Sequence, residues 1–359
     1  MKPIVIATID TVALRHNLAA VRRRAPASRV MAVIKANAYG HGLVAVARAL
    51  DDSDAFAVAR VEEGLLLRAA GISKPIVLLE GVFDREQLAA AISADFEMVV
   101  HLPEQIGMLR SLAAAAQLSV WLKLDTGMNR LGLKGAAFGA AWLELRTLPA
   151  VRQPVGLITH LAAADEPQRA TTEQQLQRFE AATAALPGAR SIANSAGLLN
   201  FPLAQADWVR PGLLLYGVSP MAETTGADYG LRPVMTLHSR VIAVKEVVVG
   251  ERVGYGGTWA AARPTRLAVA AVGYGDGYPR SLGSGAPVLV NGECAALAGR
   301  ISMDMIGIDV TDLQRPVNLG DPVVLWGPQL PVEQIARLAG TIPYELLCGV
   351  SQRVAVEVR

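Results

Sequence analysis

The feature that most constrains the fold is a repeated alternation of short apolar segments with helical segments over the first 217 residues. Eight segments rich in apolar and β-branched residues occur, at 29–35, 55–59, 75–80, 96–101, 119–125, 154–160, 191–194 and 208–210. Most are separated by Ala-, Leu-, Arg- and Glu-rich stretches with helical spacing. Continuous apolar strands that alternate with helices are typical of a parallel sheet covered by helices. Eight of them predict a (β/α)8 TIM-type barrel, because no G-x-G-x-x-G turn of an open nucleotide-binding sheet follows an early strand.

The pattern changes after about residue 230. From Pro233 onward the sequence is strand upon strand, separated by turns rich in Gly, Pro and Asp, with one convincing helix at 332–338. This predicts a mainly β C-terminal domain of about 130 residues, a normal domain size. We therefore expect a barrel over 10–230 that binds any cofactor and a β domain over 231–359. Residues 1–9 contain a strand that precedes the barrel repeat and can pair with either domain, the C-terminal one included.

Composition excludes several classes of protein. Of 359 residues 52 % are hydrophobic and 18 % charged, which excludes a disordered chain. No uncharged apolar run reaches the roughly 18–20 residues that span a bilayer, and the N-terminus lacks the apolar region of a secretion signal. The formal net charge is +2 with scattered basic residues, so neither nucleic acid nor a membrane is an expected partner. Two cysteines form no disulfide framework or zinc site. We expect a cytoplasmic protein without a bound metal.

Polar residues at the ends of the predicted barrel strands are the candidates for chemistry, because active residues of such barrels lie at the carboxyl ends of strands. Five of the eight strands end in such groups: Lys35, Asn37, Tyr39 and His41 after the first, Lys123 and Arg130 on and after the fifth, His160 on the sixth, Asn194, Ser195 and Gly197 after the seventh, and Arg210 and Gly212 after the eighth. Their clustering is more informative than any one residue.

Lys35 is the sharpest of these candidates. Six of the 34 Lys and Arg residues are lysines, and Lys35 closes the apolar run VMAVI, which should be interior. One interpretation is a lysine whose stem is buried while its amine reaches water. The other is a desolvated amine with a lowered pKa, which is nucleophilic and able to form a Schiff base. The following segment 39–42, with two glycines that let a ligand approach the backbone, favours the second.

The turns after the seventh and eighth strands predict a phosphate site. Barrels frequently bind phosphate there through backbone N–H groups and a helix N-terminus. Asn194 and Ser195 offer polar side chains, and Gly212 offers an exposed N–H. Each turn alone is more often ordinary turn chemistry. A reactive-lysine candidate on the same barrel as a phosphate cradle, however, suggests pyridoxal phosphate.

Six sequence blocks closely resemble the alanine racemase family. They are AVIKANAYGHG at 32–42, WLKLDTGMNRLG at 121–132, DWVRPGLLLYG at 207–217, VGYGGTW at 253–259, GYGDGYPR at 273–280 and GRISMDM at 299–305. They follow the family's order over essentially the whole chain. The resemblance implies fold type III pyridoxal 5'-phosphate chemistry that interconverts L-alanine and D-alanine and supplies D-alanine for peptidoglycan.

The resemblance also assigns the two catalytic bases. Racemisation needs acid–base groups on opposite faces of the cofactor ring. Lys35 resembles the lysine that holds the cofactor and then serves the D-alanine face, and Tyr255 matches the tyrosine of the L-alanine face. A phenol has a pKa near 10, so a nearby cation has to lower it. His160 and Arg210 match the residues that relay hydrogen bonds to it.

Arg210 also matches an arginine that faces the pyridine nitrogen. A guanidinium cannot accept a proton and stays charged, so the pyridine nitrogen remains unprotonated. The cofactor is then a weaker electron sink, which limits transamination.

The remaining site residues are likewise implied by the resemblance. Arg130 and the N–H of Met303 would bind the substrate carboxylate, and Lys123, which carries a carbamate in many relatives, would orient Arg130. The residues expected at the phosphate are Tyr39, Ser195, Gly212, Leu213 and Tyr344. Tyr274 and Tyr344 would narrow the entry, and Asn194 and Asp304 would support the site.

The family also implies a homodimer with composite active sites, in which the β domain of one subunit covers the barrel mouth of the other. Two-fold pairs are the commonest oligomers. Three rivals remain on the sequence. A basic amino-acid decarboxylase lacks the VGYGGTW and DTGMNRLG set, and a cofactor-carrying protein on the same barrel would lack the β domain with Tyr255. A broad-specificity racemase of the same family stays open.

Overall fold

The structure is a computed structural model of the chain, and it describes residues 3–359. The chain divides into two compact units. The barrel unit comprises residues 17–38 and 43–215, and the β unit comprises the described part of 1–16 together with 39–42 and 216–359. The first strand, β1 (Ile6–Ile9), lies in the β unit.

The barrel unit contains the eight parallel strands that the alternation predicts, and they close into a barrel. The predicted fold class is confirmed. The barrel strands are β2 (Arg29–Val33), β3 (Ala55–Val58), β4 (Ile76–Leu78), β5 (Glu97–Val100), β6 (Val120–Lys123), β7 (Gly156–Ile158), β8 (Arg190–Ser191) and β9 (Trp208–Val209). β2 pairs with both β3 and β9, which closes the ring.

Helices alternate with these strands along the chain. They are α1 (Thr11–Arg24), α2 (Leu43–Ala49), α3 (Val61–Ala69), α4 (Arg85–Ser93), α5 (Pro103–Arg110), α6 (Gly135–Leu145), α7 (Ala170–Thr183) and α8 (Ser195–Asn200). Helix α4 begins where the Asp84 carboxylate accepts the N–H of Gln87, which satisfies a free donor of the first turn. Among the helices of residues 3–359, none is both long and apolar enough to span a bilayer.

The alternation of side chains along the strands decides what fills the barrel. Trp121 on β6 and Trp208 on β9 meet edge to face, with ring centroids 6.1 Å apart, although three strand steps separate them. Both rings therefore lie inside. Gly156 pairs with Trp121, and a Cβ there would lie 2.5 Å from the indole. Because side chains alternate, Lys123 and Arg210, each two residues further on, point into the interior at its carboxyl end.

The β unit is built on one eight-stranded sheet with the strand order β13-β16-β15-β14-β17-β10-β1-β18, in which β13 also pairs with β10. Its strands after β1 are β10 (Met235–Val247), β13 (Thr265–Ala270), β14 (Pro287–Val290), β15 (Glu293–Leu297), β16 (Ile306–Asp309), β17 (Pro322–Trp326) and β18 (Ala355–Val358). A separate hairpin pairs β11 (Arg252–Val253) with β12 (Trp259–Ala260). β1 lies between β10, antiparallel, and β18, parallel.

The expectation of one helix in this region is wrong. Besides α9 (Val332–Ala339), which matches the predicted helix, the β unit contains α10 (Pro343–Cys348). The second helix is only six residues long and begins with Pro343, which is well suited to a first helical position. So short a helix carries no periodicity that a sequence pattern can register.

Candidate active site

The turn that follows Lys35 is strained. Ala36, Asn37, Ala38 and Tyr39 all adopt left-handed backbone conformations with φ of 53–54°. For residues other than glycine this costs roughly 1–2 kcal/mol each. Strain of this kind persists only where the surrounding structure enforces it, and it concentrates at functional sites.

Side chains of the barrel unit hold this strained turn. The Glu63 carboxylate, on α3, accepts the N–H of Ala36 at 2.6 Å and that of Ala59 at 2.9 Å. The side-chain oxygen of Asn37 accepts the N–H of Leu43 at 2.9 Å. Lys35 is therefore anchored between the end of β2 and the end of β3.

Arg210 is fully enclosed by hydrogen bonds of the barrel. Its terminal nitrogens donate to the Ser191 hydroxyl at 2.7 Å and to the carbonyls of Thr159 at 2.6 Å and Ile192 at 3.2 Å. Burial lowers the pKa of Arg210 to about 10, which leaves it a cation at neutral pH. Its Nε–H donates to no acceptor in the part of the chain that the structure describes, so this donor is left for a ligand.

His160 accepts a hydrogen bond from Arg210. The Nη2 of Arg210 lies 3.4 Å from Nδ1 of His160, and because a guanidinium only donates, Nδ1 is the acceptor. Burial, followed by the charges of Arg210 and Lys123, holds the pKa of His160 well below its usual range. The imidazole is therefore neutral, with its proton on Nε2.

Lys123 is crowded by cations. Burial, followed by the charges of Arg210, Arg130 and Lys35, lowers the pKa of Lys123 to about 8. The opposing influence on that pKa comes from one carboxylate, Asp125. We call Lys35, Lys123, Arg130, His160 and Arg210 the mouth cluster. Its chemistry is that of a site for anions.

The loop that carries Arg130 folds back onto the strand that carries Lys123. The N–H of Leu133 donates to the Lys123 carbonyl, and the N–H of Asp125 donates to the Leu133 carbonyl, both at 2.9 Å. Gly132 is needed in this closure, because a Cβ there would lie 2.7 Å from the Asp125 nitrogen. Arg130 itself is exposed.

The turns after β8 and β9 meet at the Ser195 hydroxyl. This buried oxygen accepts the N–H of Gly212 at 3.0 Å and that of Leu214 at 3.4 Å. Asn194 caps α8 by accepting the N–H of Gly197 at 2.9 Å. Leu213 begins a 3-10 turn, and its N–H has no acceptor among residues 3–359. The structure thus brings together the residues predicted to hold a phosphate on the barrel side.

Tyr39 and Tyr344 pack together in the β unit. Their ring centroids lie 5.9 Å apart, and the ring centroid of Tyr216 lies 4.8 Å from that of Tyr39. Burial, followed by the nearby Tyr344 and Cys348, raises the pKa of Tyr39 above its usual range. The backbone approaches closely here, since a Cβ at Gly40 would lie 2.1 Å from the Leu347 carbonyl.

The other predicted residues of the β unit are exposed. Tyr255 lies in the loop between β11 and β12 and is 69 % exposed, and Met303 is 52 % exposed. The N–H of Met303 donates to no acceptor within 3–359, while its carbonyl accepts the N–H of Gly275 at 2.9 Å. Tyr274 is also exposed, and its N–H donates to Ser302 at 3.1 Å. The loops 273–275 and 302–305 are thus bonded to each other.

Arg353 ties these two loops together. It forms ion pairs with Asp276 at 3.0 Å and with Asp304 at 2.7 Å. Asp276 is buried and also accepts the N–H of Gly273 at 2.9 Å. Arg353 is therefore the ion-pair partner of Asp304, the residue next to Met303 that is predicted to support the site.

Comparisons with known proteins decide the family. The model described as alanine racemase, N-terminal domain, matches residues 9–220, and the model described as alanine racemase, C-terminal domain, matches residues 234–358. The chain belongs to the alanine racemase family. The resemblance drawn from the six sequence blocks is confirmed.

Individual alanine racemases match over their full length. One from Yersinia pestis is 51 % identical over 351 residues, which is 98 % of either chain. The crystal structure of biosynthetic alanine racemase from Pseudomonas aeruginosa matches with a TM-score of 0.94 and 46 % identity over 100 % of each chain. The alanine racemase from Bartonella henselae, described with covalently bound pyridoxal phosphate, matches with a TM-score of 0.89 and 30 % identity over 100 % of each chain.

Three residues of this alanine racemase fold escaped the sequence analysis although they contact the site or its supports. Glu63 lies in the first turn of α3, where an acidic residue is common and attracts no notice. Arg353 is distant in sequence from its ion-pair partners. His101 ends the fourth predicted barrel strand as His160 ends the sixth, so the same signal was available for it.

Proposed function

We propose that the chain is an alanine racemase that interconverts L-alanine and D-alanine with pyridoxal 5'-phosphate. The observation that carries this proposal is the mouth cluster. There the charge of Lys35, at the end of β2, acts on the half-buried Lys123 together with the charges of Arg210 and Arg130. Both domains of the chain also match the family. The class is an isomerase. No feature of the chain favours the broad-specificity alternative.

The residues present fit the cofactor. A fully buried guanidinium with an unused Nε–H suits the pyridine nitrogen, because it can donate but not accept. The Ser195 hydroxyl and the N–H of Leu213 suit a phosphate. The Gly212 N–H, which donates to the Ser195 oxygen in this structure, joins them in this proposal by turning to the phosphate. Tyr39 and Tyr344 are the further phosphate contacts that we propose. The excess of cations around Lys123 suits an anionic group better than a neutral one.

When bound, pyridoxal phosphate withdraws electrons from the substrate Cα and so acidifies its proton. The protein supplies the two proton carriers. Nζ of Lys35 takes or returns the proton on the D-alanine face, and Oη of Tyr255 does so on the L-alanine face. Arg210 keeps the pyridine nitrogen unprotonated, and His160, held neutral beside it, continues the hydrogen-bond relay toward Tyr255.

Arg130 and the N–H of Met303 bind the substrate carboxylate in this proposal, with Lys123 orienting Arg130. The N–H of Met303 is suited to this because it is exposed and donates to no acceptor in residues 3–359. Tyr274 and Tyr344 narrow the entry, which favours a methyl side chain. Asn194 and Asp304 support these groups through α8 and through the loop at Met303.

We further propose that the active species is a homodimer with composite sites, in which Tyr255 and Met303 of one subunit serve the mouth cluster of its partner. The support is that both residues lie on exposed loops of the β unit, whereas the mouth cluster lies on the barrel unit. We also propose that the reaction takes place in the cytoplasm, where it supplies D-alanine for peptidoglycan precursors. The partner molecules are then alanine and a second copy of the chain, with no nucleic acid or membrane.

The test is a racemisation assay on alanine, serine and lysine, with and without added pyridoxal phosphate. Alanine should be racemised fastest, and the activity of cofactor-stripped protein should return when the cofactor is added. Borohydride should fix the cofactor to the peptide that contains Lys35, and Lys35→Ala should abolish this labelling. A colourless protein that cannot be reconstituted would disprove the assignment, and equal rates on all three amino acids would favour the broad-specificity alternative.

A further inference from the structure

His101 occupies a position in the barrel that matches that of Lys123. The strands β5 and β6 pair in parallel, with Val99 opposite Trp121 and Val100 opposite Leu122. The next positions are His101 and Lys123, which therefore lie side by side. Neighbours in register point to the same face of a sheet. Since Trp121 lies inside the barrel, His101 and Lys123 both point into its mouth.

The ring of His101 is fixed with one nitrogen unused. It is 1 % exposed, and its Nε2 lies 2.9 Å from the Glu80 carbonyl. Nε2 has a second polar neighbour, the amide nitrogen of Gln105 at 3.3 Å, which can only donate. The Glu80 carbonyl, which can only accept, is the nearer of the two, so the proton is assigned to Nε2 and Nδ1 is a bare acceptor. Nδ1 is buried and has no hydrogen-bond partner within residues 3–359. A buried acceptor without a hydrogen bond costs free energy, so we expect a donor to bind Nδ1 in the working enzyme.

The surrounding bonds hold the imidazole in this orientation. The side-chain oxygen of Gln105, itself buried, accepts the backbone N–H of His101 at 2.8 Å, and its amide nitrogen donates to the Val82 carbonyl at 3.1 Å. Burial, assisted by the Lys123 charge, lowers the pKa of His101 and keeps the ring neutral. The acceptor at Nδ1 is thus present at neutral pH.

Lys123 is the donor that this acceptor lacks. Its side-chain nitrogen carries at least one N–H whether it is an amine, an ammonium group or a carbamate. On its other sides Lys123 meets the charges of Arg210, Arg130 and Lys35, which repel its ammonium form. The bare Nδ1 of His101, at the neighbouring register position, is a buried neutral acceptor without a partner among residues 3–359.

We propose that His101 is a positioning residue for substrate binding: its Nδ1 accepts a hydrogen bond from the side-chain nitrogen of Lys123 and holds that nitrogen on the β5 side, clear of Arg130. This rests on the proposed function, in which Arg130 binds the carboxylate of alanine. Because the carboxylate is bound alike before and during proton transfer, loss of this hydrogen bond raises KM and leaves kcat nearly unchanged.

Two substitutions separate the two nitrogens of the ring. His101→Gln keeps a donor near the position of Nε2 for the Glu80 carbonyl and removes the acceptor at Nδ1. His101→Asn keeps an acceptor near the position of Nδ1 and removes the donor. His101→Gln should raise KM for alanine, and Kd for propionate in the holoenzyme, by about three- to tenfold, as expected for one hydrogen bond. His101→Asn should stay within about twofold of the unaltered enzyme.

Two controls isolate the effect. His16→Gln makes the same substitution at a ring whose Nε2 contacts the Gly230 carbonyl at 2.9 Å outside the mouth, and it should leave both constants unchanged. In a Lys123→Met background, His101→Gln should add nothing. Equal effects of the Gln and Asn variants, or additivity with Lys123→Met, would refute the positioning role.

A measurement on the folded enzyme guards against variants that do not fold. The chain has five histidines, so the ring nitrogens can be resolved by 15N NMR. The unprotonated Nδ1 of His101 should resonate upfield, as a hydrogen-bonded acceptor does, and should move downfield in Lys123→Met while Nε2 stays. An Nδ1 resonance indifferent to Lys123 overturns the proposal. Absence of racemisation by the unaltered enzyme would instead reject the proposed function, which this spectrum does not depend on.

Discussion

The barrel mouth and the exposed loops of the β unit hold their functional residues in opposite ways. In the barrel, Arg210 is buried and His160 is half-buried, and both are held at strand ends, where Arg210 bonds to the Thr159 carbonyl and to His160. In the β unit, Tyr255 and Met303 are exposed, and what fixes them is the backbone of their loops. One half is preorganised within the chain, whereas the other presents its groups outward.

The electrostatic cost of the site therefore lies in the barrel. The mouth cluster gathers cations around the half-buried Lys123 and the buried Arg210, which destabilises the chain until anions bind, and the strained turn after Lys35 adds to that cost. The loops of the β unit carry little of this free-energy cost, because the exposed side chains of Tyr255 and Met303 remain in contact with water.

The largest effect is expected from Tyr255→Phe. Loss of the hydroxyl should leave cofactor labelling at Lys35 intact while slowing proton exchange from L-alanine by about 10²–10⁴-fold, the usual worth of an acid–base group. Exchange from D-alanine should suffer less. Solvent deuterium incorporation from each enantiomer measures this. Undiminished exchange from both would remove Tyr255 from the mechanism.

A mixing experiment tests whether the outward-facing half serves another subunit. Lys35→Ala and Tyr255→Phe chains are each inactive, but in a hybrid dimer one site collects both lesions and the other is intact. After exchange about half the dimers are hybrids, so activity should rise from near zero to about a quarter of the unaltered value. Lys35→Ala chains mixed with themselves are the control. No recovery despite proven exchange would mean that each site lies within one chain.

Much of the barrel site could be predicted, because strand alternation and strand ends are local signals. The runs before Lys35, Lys123, His160 and Arg210 are short and apolar, and each ends in a polar group that the fold must place at the mouth. His101 followed the same rule and was missed. The hairpin of β14 and β15 was also missed, although Asn291-Gly292, with φ of 52° and 83°, is a strong two-residue turn signal.

The supports of the β-unit loops could not be predicted from local patterns. The ion pairs of Arg353 join residues far apart in the sequence, and nothing around it distinguishes it from the other arginines. Likewise, the Glu63 bond to Ala36 depends on two neighbouring βα turns meeting. Such contacts follow from tertiary structure, so a single sequence does not reveal them.

The cost stored in the barrel mouth should be measurable at Lys123. Its folded pKa of about 8 lies below the ordinary value near 10.4, so the unfolded chain binds more protons between these pH values. Stability should therefore rise with pH from 8 to about 10.4, and the buried ammonium costs on the order of 3 kcal/mol at pH 7.

Lys123→Met should accordingly raise the free energy of unfolding by about 1–3 kcal/mol at pH 7 in CO2-free buffer, and this gain should shrink above pH 8. Urea titrations at pH 7, 8 and 9.5 check it. Lys245→Met, at an exposed lysine of the β unit, is the matched substitution. If Lys123→Met were less stable than the unaltered protein at pH 7, the Lys123 ammonium would not destabilise the folded chain.

The smallest effect is expected at Arg353, which supports an exposed loop of the β unit and not a buried group of the barrel. Arg353 is half exposed, and of its two partners Asp304 is exposed and Asp276 is buried. Arg353→Lys keeps the positive charge beside both carboxylates, so it should change the free energy of unfolding by no more than about 1 kcal/mol. One ammonium cannot hold both carboxylates as a guanidinium fork does, so the Met303 loop should loosen. KM for alanine should then rise about two- to fivefold with little change in kcat. Arg359→Lys, whose exposed pair with Glu357 lies away from these loops, is the matched control. A large loss of stability with unchanged KM would show that Arg353 supports the fold of the β unit and does not position the Met303 loop.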